Sequence, residues 1–160
     1  MNTRRALSLS ILAGLVFAAA APATAQDASV ATRLDREGIQ YEIDGDGDYK
    51  VTFNYTSEGR TQLAFVSGET HTVAGLTIRE VFSPAGRVTQ DGIGGRKALE
   101  LLEASAEMKL GSWEIRGDVL YLVIKVLDGA SSSELSSILD VAAGAADDME
   151  IELSGDRDDL

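Results

Sequence analysis

"YEIDGDGDYKVTF", Tyr41 to Phe53, sets three aspartates at every second position between two runs patterned for strands. Before them Ile39, Tyr41 and Ile43 alternate with Gln40 and Glu42. After them Tyr49, Val51, Phe53 and Tyr55 alternate with Lys50, Thr52 and Asn54. A period of two, with large β-formers on one side, is the pattern of a half-buried strand. Aspartate and glycine between two such runs supply the left-handed residues and local side-chain bonds of a hairpin turn. A calcium loop starting at Asp44 would draw ligands from Asp44, Asp46 and Asp48. It then needs glycine at its sixth position and a bidentate glutamate at its twelfth, where Tyr49 and Tyr55 stand. The turn is the reading favoured. The three aspartates stay as the candidate cation ligands of a rival function, a small calcium-binding module.

Outward from the turn, Val30 and Leu34 lie one helical turn apart and Gly38 is a natural stop, which predicts a short helix before the first strand. "TSEGR" turns the chain into a third strand, Thr61 to Ser67, completing a meander. Gly68 to Gly95 reads two ways. Ile78, Val81 and Phe82 have helical spacing, while β-branched residues and Pro84 allow a strand that ends early. Ala98, Leu101 and Leu102, with Glu100 and Glu103 outside, predict an amphipathic helix to about Ser105. "EMKLGSWEIRGDVLYLVIKVL" predicts a hairpin. Its apolar parity changes at Gly111-Ser112, which suggests a bulge, and Arg116-Gly117-Asp118 makes the turn. "VLYLVIKVL" is apolar enough for a strand covered on both faces. The last segment predicts a helix: Ser131 and Glu134 have capping-box spacing, and Leu135, Ile138, Leu139, Ala142, Ala146 and Met149 form one stripe. The acidic end "SGDRDDL" is expected to fray. The fold class expected is α+β: an antiparallel sheet in the order helix, three-strand meander, helix, β-hairpin, helix.

Arg4 and Arg5 precede a charge-free apolar run, Ala6 to Ala21, and "ATA" (Ala23 to Ala25) offers a small-x-small cleavage site. This predicts a signal peptide over 1–25, cleaved after Ala25, and a single domain over 26–160. The expected location is periplasmic or secreted in a bacterium, with no membrane attachment after cleavage. Removal of the signal leaves 12 basic against 26 acidic residues, a net charge of −14. Such a surface disfavours nucleic acid and anionic lipid, which need clustered Lys and Arg. The chain has no cysteine, which excludes disulfides, thiolate catalysis and thiolate metal sites.

Enzymatic motifs are missing in the same way. His71 is the single histidine, in a polar stretch without triad or zinc partners at motif spacing. "GIGGRK" (Gly92 to Lys97) opens a helix but lacks the nucleotide-loop pattern. No catalytic residue and no cofactor is expected. The small-residue stripe of the last helix packs on the sheet or meets a partner, so Leu135, Ile138, Leu139, Ala142 and Ala146 are the candidate partner or homodimer contacts.

"YEIDGDGDYKVTF", "RKALELLEASAEMKLGSWEIRGDVLYLVIKV" and "SELSSILDVAAGAADDMEIEL" together resemble the YbjN-type family of bacterial sensory transduction regulators, over about Leu34 to Leu153. The resemblance implies a fold like that of type III secretion chaperones, which bind extended segments of other proteins and often dimerise. It implies no catalytic residues. An export signal departs from that family's better-known members. The expectation is an exported, non-enzymatic, protein-binding or chaperone-like module whose partner is another protein.

Overall fold

The computed structural model describes residues 28–155, 157, 158 and 160. The expected signal peptide and its cleavage site lie outside these residues. Among the described residues three helices and seven strands follow in the order α1 (Ala28–Arg36), β1 (Glu42–Ile43), β2 (Tyr49–Tyr55), β3 (Arg60–Val66), β4 (His71–Val73), β5 (Leu76–Arg87), α2 (Arg96–Glu107), β6 (Ser112–Arg116), β7 (Val119–Leu127) and α3 (Ser132–Ser154). The strands form one antiparallel sheet, β1-β2-β3-β5-β7-β6, with β4 paired to the start of β5. This is the α+β class expected.

The Asp44 to Asp48 stretch is a hairpin turn. Asp44 Oδ1 accepts from the amides of Asp46 at 2.9 Å and Asp48 at 3.0 Å, and Gly47 takes a positive φ of 89°. The ambiguous Gly68 to Gly95 segment resolves as β4 and the long β5, so the helical spacing there carries no helix. Pro84 sits inside β5 because the β3–β5 ladder ends at Phe65↔Phe82, and a register shift follows between Pro84 and Gly86. Beyond that point side chains replace the ladder. Buried Gln62 donates from Nε2 to the Ser83 hydroxyl at 2.9 Å and to the Pro84 carbonyl at 2.6 Å, and Ser83 Oγ donates to the Leu63 carbonyl at 2.5 Å. A proline without an N–H is tolerated where no ladder partner waits for one. In the second hairpin, β6 begins at Ser112. The parity change at Gly111-Ser112 is therefore the start of a strand and not a bulge within one.

The helices cover one face of the sheet. Ala64, Val66, Val81 and Ile124 point into a core shared with Val30 and Leu34 of α1 and Leu135, Leu139, Ala142 and Ala143 of α3. Leu101 of α2 joins Trp113, Leu120, Leu122 and Ala146 in a second cluster. α3 begins as its sequence dictates: Ser131 accepts from the Glu134 amide, and the Glu134 carboxylate accepts from the Ser131 amide at 2.7 Å. Arg79, 1% exposed, pins the loop before it through Asp128 Oδ1 at 2.7 Å, and Arg33 Nη1 donates to the Asp128 and Ala130 carbonyls.

Two expectations are corrected. Leu135, Leu139, Ala142 and Ala146 are 0% exposed and half-buried Ile138 packs against the same core, so these α3 residues, offered as partner contacts, pack on the sheet. Small side chains there let a helix sit close to a sheet that already presents Val66 and Val81. Where fraying was expected, the described residues Arg157 and Asp158 make bonds to the start of β3. Arg60 Nη1 donates to the Arg157 carbonyl at 2.8 Å, and Thr61 donates to Asp158 Oδ2 from its amide at 3.2 Å and its hydroxyl at 3.3 Å.

Candidate functional site

The face of the sheet opposite the helices is built by the alternate positions of the same strands. Where β3 turns Ala64 and Val66 inward, it turns Leu63 and Phe65 outward. β5 presents Phe82 and Pro84 beside them, and β7 presents Val119 and Tyr121. Phe65 and Phe82 are cross-strand neighbours with their rings stacked, centroids 5.1 Å apart and 6° from parallel. The Tyr121 ring meets Phe82 edge-on at 5.8 Å and 78°. Such pairs add to burial through ring quadrupoles. All three rings remain half-buried, because no described helix lies over them.

Charges border this row. The Arg116 guanidinium stands 5.7 Å from the Phe82 ring centroid, within cation–π range. It also bonds Glu80 and Glu114, each at 2.9 Å, and Lys125 bonds Glu114 on the far side. Burial pulls the Glu114 carboxyl up, but hydrogen bonds from Lys125 and Arg116 outweigh it and hold the group below the ordinary glutamate range. The row lines a groove of about 430 Å³ whose other walls include the Asp44–Asp48 turn, Arg87 and Leu160.

The three sequence-chosen aspartates thus lie together at this groove. Their geometry is that of a turn: Asp44 caps two amides, and Asp48 Oδ1 accepts from the Gly68 amide at 2.8 Å. Burial pushes the Asp48 carboxyl up, and the Gly68 amide works against it. Among the described residues no three His, Asp or Glu side chains gather as a metal-ligand set. His71 is exposed on β4.

Sequence reasoning missed the aromatic row, because Phe65 and Phe82 are neighbours only through the β3–β5 register. It also missed a buried ion cluster under α3. Arg60, 9% exposed, donates to Asp147 Oδ1 and Glu150 Oε2, each at 2.8 Å. Asp147 and Glu150 sit three apart on one helix face, which was the available signal. A further apolar patch lies at the sheet edge, where Leu99 and Leu102 of α2 are 60% and 63% exposed and Ile115 of β6 is 48% exposed. Leu102 was expected inside. No described helix is long and apolar enough to cross a membrane.

No protein-family model matches the chain, and no curated protein matches it. Among solved structures it is similar to the Yersinia pestis type III secretion chaperone SycH, crystallised in complex with a stable fragment of YscM2. The likeness has a TM-score of 0.50 at 15% sequence identity and covers 79% of this chain and 98% of that one. At that identity it establishes a type III chaperone-like fold. The residues that resemble the YbjN-type family gain no support from a family match.

Proposed function

We propose that this chain is an exported, non-enzymatic, chaperone-like module of the YbjN type that binds an extended segment of another protein on the open face of its sheet. The observation that carries the reading is the Phe65–Phe82–Tyr121 row, large rings left half-buried on a face that no described helix covers. Apolar surface of this kind, rimmed by charge, is what interaction sites present. The occupant is taken to be polypeptide because a stretch of polypeptide already reaches the site: Leu160 lines the groove. The fold is consistent, since the similar chaperone was crystallised with a fragment of a second protein. Fold alone does not set function.

The calcium reading finds no favouring geometry, because Asp44 and Asp48 already accept backbone amides. Self-association, if the module is a homodimer, is assigned to Leu99, Leu102 and Ile115 instead of the buried α3 stripe. Such a patch can be self-complementary across a two-fold axis.

The test is recovery of partners on a tagged, exported copy, wild type against Phe65→Ser. One partner that recurs with wild type and is lost with a folded Phe65→Ser protein supports the reading. Equal recovery on both removes it.

A further inference from the structure

The protein's own chain reaches the groove on the open face. From the end of α3 the chain passes the start of β3, and the described residues beyond Gly155 are held there by specific bonds. Arg60, already fixed by Asp147 and Glu150, donates to the Arg157 carbonyl at 2.8 Å. Arg157 Nη2 donates to Asp91 Oδ1, and the other oxygen of that buried carboxylate accepts from the Arg87 amide at 2.6 Å. Asp158 takes the amide and hydroxyl of Thr61, two residues before Leu63 on the same face of β3. Leu160 then lines the groove with Leu63, Phe65, Phe82 and Tyr121.

We propose that Arg157, Asp158 and Leu160 act as a built-in competitor, Leu160 occupying the place that an aliphatic side chain of the partner segment takes. The proposal rests on the reading of the open face as the docking surface. The polar bonds carry the tail to the groove, and Leu160 beyond them forms part of its apolar wall. A partner must displace Leu160. Its apparent affinity is therefore lowered by the fraction of molecules in which the tail is seated. Tethering gives the tail a high effective concentration although its own contacts are few. A tail held by hydrogen bonds at the surface also opens more readily than the core.

The experiment titrates the full chain with the dye anilinonaphthalene sulfonate and compares it with Leu160→Ser and with a chain ending at Gly155. Helix content is checked by circular dichroism. Removing the leucine is expected to tighten dye binding about tenfold, the size that burial of one such side chain allows. Adding Phe82→Ser to either variant is expected to abolish the gain. Unchanged dye affinity in both variants, or a gain that Phe82→Ser leaves intact, overturns the competitor. Neither result bears on docking of a second protein, which partner recovery on Phe65→Ser tests by itself.

Discussion

Phe65 of β3 and Phe82 of β5 stack 5.1 Å apart, 6° from parallel, on the face of the sheet that no described helix covers. A ring that served the core would sit on the other face, with Val66 and Val81. Phe82 also meets Tyr121 and stands under Arg116. Phe82→Ser is therefore expected to cost about 1–2 kcal/mol, less than loss of a fully buried ring. Urea unfolding checks it, and the variant is expected to remain folded while losing its partner.

Arg60 bonds two buried carboxylates, Asp147 and Glu150. Replacing it by methionine keeps its bulk and leaves Asp147 and Glu150 without it, so the loss is expected to be about 3 kcal/mol. The same unfolding midpoint reads it. A change within a few tenths of a kcal/mol would mean that water already reaches these carboxylates.

Ala142 distinguishes core from interface. It is 0% exposed between α3 and the sheet. Ala142→Leu is expected to overpack this contact and lose about 1–3 kcal/mol of stability. A partner-facing Ala142 would tolerate leucine in the isolated protein and show the cost only in binding.

The Glu114 carboxyl is held below its ordinary range, where the bonds from Lys125 and Arg116 outweigh the upward pull of burial. A depressed folded pKa means that this group stabilises the fold above the unfolded value and that the contribution fades as pH falls below about 4.3. Asp48, raised by burial, acts in the opposite sense and favours the fold as pH falls. Glu114→Gln is expected to flatten the acid limb of a stability–pH curve, and Asp48→Asn to steepen it. Unfolding midpoints across that range check both signs.

Local chemistry made much of the fold legible. The Asp44 turn, the Gly38 stop and the Ser131–Glu134 capping box are short-range devices, and each stands as its residues imply. What escaped was non-local. Pro84 spoke against a long strand at Gly68 to Gly95, and only the register with β3 shows why it is harmless: Gln62 and Ser83 bridge where the ladder stops. The α3 stripe was legible as a stripe, but its choice of neighbour depended on the sheet it met. The aromatic row requires knowing that residue 65 faces residue 82. An acidic tail reads as solvated, and nothing in its composition reveals Thr61 waiting for Asp158.

The central claim is that the open face of the sheet holds another protein. The most direct measurement places a photo-activated aromatic crosslinker at Tyr121 in the full chain expressed in cells, with Asp140, exposed on α3, as the control position. The expected result is crosslinks from Tyr121 that map to one extended segment of a second polypeptide, absent from Asp140 and lost with Phe65→Ser. The same segment captured from both positions, or no second polypeptide captured from Tyr121, would contradict it.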